Sequence, residues 1–289
     1  MIMKSRYLYL YIALVAILFA TSCNGAKDND PRPTIYVSIA PLKPLIEGIT
    51  GDDFRVEVLV PAGASPETFE PTPKQVIALN SSRFIFGTGL LDFERALLGR
   101  IENREQIVNL DKGISPIAGT CSHTHHSSHC HHGIDPHVWC SPKQLMTMAE
   151  NAYEAIATAM PDSVKYETAY TALCNELLAL DEEVTEMCRL SPHSYFIIYH
   201  PALTYLARDY GLEQIAIEHE GKEVGAKRLA TIIDRARQDG IKRVFYQAEF
   251  PKSSVEVVCE DIGAEAVEIN PLSENLFDNL RLIVGLITE

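Results

Sequence analysis

Basic residues are scarce in this chain: 25 Lys and Arg stand against 39 Asp and Glu, a formal charge of −14 over 289 residues. Such an excess of carboxylates repels phosphate backbones and offers no basic face, which excludes nucleic acid as the main partner. Long apolar runs are missing after Ala20, so nothing downstream suffices to cross a bilayer as a helix. No fixed-period repeat occurs. A His-Glu-x-x-His signature and a Gly-x-Ser-x-Gly elbow are also absent, so the common zinc peptidase and serine hydrolase patterns find no support. Cysteine is sparse; its odd number, seven, leaves at least one thiol unpaired or modified, and a chain this long buries a core without disulfides.

What is present begins with a leader. Lys4 and Arg6 open onto an apolar run from Tyr7 to Ala20, 14 residues, short of the roughly 20 that span a membrane. Residues 1–22 therefore read as a signal peptide. The run ends in Ala20-Thr21-Ser22-Cys23, small residues directly ahead of a cysteine, and this resembles the lipobox of bacterial lipoproteins. The resemblance implies that Cys23 is lipidated and that the mature chain sits at the cell envelope, on the periplasmic or extracytoplasmic side, anchored to a membrane. Residues 23–33 are polar and proline-bearing, as suits a flexible tether.

From Thr34 short β-branched runs alternate with helical patterns. Ile35–Ile39, Val56–Val60, Arg83–Phe86 and Gln106–Asn109 are separated by helical stretches such as Lys74–Asn80 and Asp92–Gly99, the βαβ signature of a parallel sheet. A second set comprises Tyr195–Tyr199, Glu213–Ile217, Arg243–Gln247 and Ala266–Ile269. Between them lie two expected helices, Pro142–Ala159 and Asp162–Cys188, the second about 40 Å long. The organisation expected is thus an N-terminal α/β lobe over 34–141, a helical connector over 142–189 and a C-terminal α/β lobe over 190–289.

Residues 121–132 contain His123, His125, His126, His129, His131 and His132 together with Cys121 and Cys130. Imidazoles this dense on an irregular loop predict several weak sites for zinc, copper or nickel. Cys121 and Cys130 serve either as ligands or as a disulfide across the loop. Cys140, Cys174, Cys188 and Cys259 read as small core residues.

Three further segments point to one site: Val60-Pro-Ala-Gly-Ala-Ser-Pro-Glu-Thr-Phe-Glu-Pro-Thr-Pro73, Asp135-Pro-His-Val-Trp139, and the run from Tyr199-His200 to Leu212. Glu67 and His200 follow the carboxyl ends of expected strands, where open α/β sheets bind ligands. With Tyr205-Leu-Ala-Arg-Asp-Tyr-Gly211, Glu220-Gly-Lys-Glu223 and Asn270-Pro-Leu272, these segments resemble the ZnuA-like metal-binding proteins of zinc and manganese ABC importers, from about Tyr36 to Leu282. The resemblance implies two Rossmann-like lobes joined by one long helix, a metal in the interlobe cleft, and a membrane permease as partner of a monomeric receptor that is not an enzyme. It also associates a His-rich loop ahead of Asp-Pro-His-Val-Trp with zinc as the transported ion.

Two departures from the family pattern concern the metal. Glu67 stands where the family usually has histidine, and Asn270 where many members have aspartate. The implied ligands are Glu67, His137 and His200, with water, the Asn270 carbonyl or Glu249 in fourth place. Zinc accepts this donor set, and manganese or iron accommodates it too. A zinc-dependent hydrolase and a lipid-anchored metal buffer remain as readings from other classes. Binding is expected to fade below the ordinary histidine pKa of about 6.5.

Overall fold

The computed structural model describes residues 30–97, 99–118, 133–160, 163–219 and 222–289. The leader with Cys23 and the histidines of 121–132 lie outside the described residues. Four strands, β1 (Thr34–Val37), β2 (Arg55–Val58), β3 (Phe84–Gly87) and β4 (Ile107–Asn109), form a parallel sheet in the order β2-β1-β3-β4. A second parallel sheet, ordered β10-β9-β5-β6, contains β5 (Tyr195–Ile198), β6 (Glu213–Ala216), β9 (Arg243–Gln247) and β10 (Glu265–Ile269). Counted along the chain, both sheets have the same order, second-first-third-fourth. Every residue of β3 and β5 is buried. That is why these strands read as continuous apolar runs instead of alternating ones.

Helices α1 (Leu42–Thr50), α2 (Pro73–Asn80) and α3 (Asp92–Leu97) belong to the first lobe. The connector is α4 (Pro142–Ala159) and α5 (Ser163–Leu190). Helices α6 (Thr204–Tyr210), α7 (Ala226–Asp239), α8 (Ser253–Ile262) and α9 (Leu276–Thr288) complete the second lobe, with a small antiparallel pair, β7 (Glu218–His219) and β8 (Lys222–Glu223). The expected class, two Rossmann-like lobes joined by a long helix, is borne out. The β7–β8 pair and helices α1 and α9 were not anticipated.

At 28 residues, α5 is about 42 Å long. Tyr166, Leu173, Leu177, Leu180, Val184 and Cys188 are its buried positions, spaced by three, four and seven as one face of a helix requires. It packs on α4, the other connector helix, on α1 from the first lobe, and on α6 and α9 from the second. Gly48 permits the close approach to α1, since a Cβ there would lie 3.3 Å from Leu173. Cys140, Cys188 and Cys259 are buried free thiols, while Cys174 is half-buried. No described helix is long and apolar enough to cross a membrane.

Polar bonds stitch the lobes together along the cleft. The Trp139 indole Nε1 donates to the Pro271 carbonyl at 2.9 Å. The Tyr205 hydroxyl donates to the Asp135 carbonyl at 2.9 Å and accepts from Ile117 N at 3.2 Å. Asp209 accepts from Ser141 Oγ and Gln144 Nε2, both at 2.6 Å. Each bond ties α6 or the segment after β10 to the first lobe or its junction with α4.

Candidate metal centre

Glu67 lies on the irregular segment that leaves β2. The segment is pinned at its far end by a capping box on α2. Thr72 Oγ1 accepts from Gln75 N at 3.3 Å, and Gln75 Oε1 accepts from Thr72 N at 2.9 Å. Gln75 Nε2 also donates to the Leu59 carbonyl at 3.0 Å, returning the loop to its strand. Phe69 packs edge-on against Phe93 with ring centroids 5.1 Å apart. Glu94 braces the neighbouring turn after β3: its carboxylate accepts from Thr88 N and Oγ1 at 2.9 Å and from Leu91 N at 3.2 Å. Burial holds the Glu94 carboxyl above the usual range. Gly87 has no side chain because a Cβ would stand 2.8 Å from Glu94 Oε1.

His137 sits at the start of a short 3-10 turn, Val138–Cys140. Its Nδ1 and its backbone N both meet Asp135 Oδ1, at 2.8 and 2.9 Å. Burial would raise the Asp135 carboxyl, but the charge and hydrogen bonds of His137 hold it below its ordinary value. His200 lies two residues beyond the end of β5. Its Nδ1 faces Glu218 Oε2 at 2.7 Å, and its Nε2 faces Glu67 Oε1 at 3.2 Å. Phe250 stacks on the imidazole, centroids 5.4 Å apart and planes at 28°.

Burial alone would depress the His200 pKa, yet the bonds to Glu218 and Glu67 raise it to about 9. Burial likewise tends to raise Glu67, and the His200 bond and charge overcome it and lower the carboxyl. Metal-free, His200 is thus an imidazolium clamped between two carboxylates. The ordinary value of about 6.5 belongs to a histidine without such neighbours.

Candidate donor atoms of Glu67, His137 and His200 lie within 4.8 Å of one another. All three expected residues are brought together, each imidazole with its Nδ1 turned to a carboxylate and its Nε2 left for the centre. They line a cavity of about 30 Å³ between the lobes, with Leu91, Trp139, Phe250 and Leu272 among its walls. Glu249 lines it as well but is not within the tight trio. Asn270 does not line it: its Oδ1 accepts from Leu272 N at 3.0 Å and its carbonyl from Asn279 Nδ2 at 2.9 Å.

Sequence reasoning missed Glu218. The signal was the strand register: Ile198 pairs with Ala216 in parallel, so two residues further on His200 falls beside Glu218. The backbone continues the pairing, with Glu218 N donating to the Tyr199 carbonyl at 3.0 Å.

Residues 35–282 match the family described as zinc-uptake complex component A, periplasmic. The chain belongs to this ZnuA family. It is similar to the zinc-binding protein AdcA of Streptococcus pyogenes serotype M3, 28% identical, over 93% of this chain and 56% of AdcA. The zinc-binding lipoprotein AdcA of Streptococcus pneumoniae serotype 4 is 25% identical over 91% of this chain and 54% of that protein. The chain spans little more than half the length of these relatives. Among solved structures it is similar to ZnuA, 32% identical with a TM-score of 0.80, over 89% of this chain and 100% of the other. A ZnuA deletion mutant with zinc bound matches equally, at 32% identity and a TM-score of 0.80, over 89% of this chain and 97% of the other.

Proposed function

We propose that this protein captures zinc in the cleft through Glu67, His137 and His200 and delivers it to the membrane permease of an ABC importer. The observation that carries the reading is the convergence of two carboxylate-oriented imidazoles and one carboxylate within 4.8 Å of one another. Carboxylate–histidine pairing is the usual way a protein fixes the tautomer of a zinc-ligating imidazole. The cavity of about 30 Å³ holds an ion and a water, whereas organic ligands occupy about 300–1,000 Å³. That favours an ion receptor over the zinc-hydrolase reading. Zinc binding by AdcA and by ZnuA, as their names and structures state, supports the same choice of ion.

Lipidation of Cys23 would hold the receptor at the extracytoplasmic membrane face, beside its permease. The histidines of 121–132 would supply additional weak zinc sites. Manganese is the second reading, because the Glu67 oxygen suits a harder ion.

Metal analysis of the untagged protein and competition titration with zinc and manganese test this reading. One tight zinc equivalent is expected, weakened more than 100-fold in His200→Ala, beyond the roughly 10–100-fold typical of outer-shell losses. Retention of tight zinc by that variant refutes the ligand assignment, and preference for manganese overturns the choice of ion.

A further inference from the structure

Phe250 forms one wall of the cavity that Glu67, His137 and His200 line, and the turn that carries it is wrapped around His200. Its backbone N donates to the Gln247 carbonyl at 3.0 Å, and Gln247 Nε2 donates to the His200 carbonyl at 2.6 Å. Its ring lies on the His200 imidazole, centroids 5.4 Å apart with planes at 28°, and meets Tyr199 edge-on at 5.1 Å. Main chain and ring together brace Phe250 against the metal site. On the other imidazole, the Trp139 ring lies 5.1 Å from His137 and is fixed by its bond to the Pro271 carbonyl. Leu91 and Leu272 add to the apolar lining.

Such walls act on coordination number. Two imidazoles and a carboxylate do not by themselves choose between ions, since zinc, manganese and iron all accept them. Zinc is satisfied by four ligands, so one water finishes its shell; octahedral ions, manganese among them, take six and need three waters beyond the trio. Where one water needs about 10–15 Å³, an ion with three waters needs about 40–60 Å³, more than the cavity of about 30 Å³ supplies. Glu67 is the ligand that faces solvent. The surfaces beside the two imidazoles are aromatic and offer a second or third water none of the roughly two to four polar partners it requires. We propose that Phe250 is a specificity-determining residue: its ring denies the bound ion room for additional waters and so favours four-coordinate zinc over six-coordinate manganese. The proposal rests on the assignment of the trio as the zinc ligands.

Competition titrations of zinc against manganese on the native protein, Phe250→Ala and Phe250→Leu, with visible spectra of the cobalt(II)-loaded native protein, test it. Phe250→Ala opens the wall and should lower the ratio of zinc to manganese affinity about 10-fold or more, the scale on which the surroundings of the ligands tune a metal site. Phe250→Leu keeps an apolar wall without the aromatic ring and should hold the ratio close to the native one. Loosening of the fold or of His200 weakens both ions together and leaves the ratio alone. An unchanged ratio in Phe250→Ala, or an equal fall in both variants, would overturn the proposal. The cobalt(II) arm requires no variant to fold: the native protein should give the intense visible bands of a four-coordinate ion, and the weak bands of six-coordination would also overturn it. Failure of the underlying reading has different signatures: tight zinc undiminished in His200→Ala, or a native protein that prefers manganese.

Discussion

If His200 ligates zinc as proposed, the ion must displace its proton, and this sets a measurable pH dependence. The imidazolium sits between Glu67 and Glu218 with a pKa of about 9. A ligating nitrogen must be deprotonated, so below that value the apparent affinity falls 10-fold per pH unit through this group alone. At pH 7 the deficit is about 100-fold, on the order of 3 kcal/mol at 1.36 kcal/mol per unit. Glu67 is held below its ordinary value and is already ionised, so it adds no proton. Calorimetry in two buffers of different ionisation enthalpy should count about one proton released from His200 per zinc at pH 7.5. Log affinity should climb with unit slope between pH 7 and 8.5. The metal-free protein behaves in the opposite sense. Its folded pKa lies above the free value of about 6.5, so this interaction stabilises the apo fold fully below pH 6.5 and is lost as pH rises through 9. Zinc uptake without proton release at pH 7.5, or an apo melting temperature that rises from pH 6.5 to 9, would refute the clamped imidazolium.

Three other expectations follow from particular groups. Tyr205→Phe removes a hydroxyl that bridges Ile117 N and the Asp135 carbonyl, and should cost about 1–3 kcal/mol in denaturant unfolding; an unchanged midpoint would mean that solvent satisfies both partners. Cys23→Ser should move the protein from the membrane to the soluble envelope fraction, since acyl chains anchor at about 0.8 kcal/mol per buried CH2, and unaltered partitioning would show that another element holds it. Deleting 122–132 should remove weak zinc equivalents in equilibrium dialysis and leave the tight one, because ordering such a loop around one ion costs about 1–2 kcal/mol per fixed residue; loss of the tight equivalent would place a loop histidine on the cleft metal.

The sheets were legible because strands buried on both faces leave uninterrupted apolar runs, as in Ile35–Ile39 and Tyr195–Tyr199. The positions of Glu67 and His200 were legible for a related reason, since the carboxyl ends of parallel strands are where such folds place ligands. Glu218 was not, although it is the nearest neighbour of His200 Nδ1. Eighteen residues separate the two, and only the β5–β6 register makes them adjacent. Gln247 looks like any strand residue in the sequence, and only packing reveals that its Nε2 donates to the His200 carbonyl. The His200 pKa was illegible for the same cause: residue type gives an ordinary value, while the flanking carboxylates that move it are a property of packing. Asn270 was a reasonable candidate by position, but its oxygens cap the turn into α9, which no local pattern announced.

The three proposed ligands differ in how they meet solvent. The His137 and His200 side chains are 10% and 14% exposed, whereas that of Glu67 is 43% exposed on a strand-free stretch. The carboxylate is therefore the proposed ligand with the most room to turn. If these residues hold the cargo, rotation of that one side chain would open the cleft to solvent while the bonds at Trp139, Tyr205 and Asp209 stay in place. Residence time would then be set by how readily one carboxylate turns away, a property of a single side chain and not of the lobes.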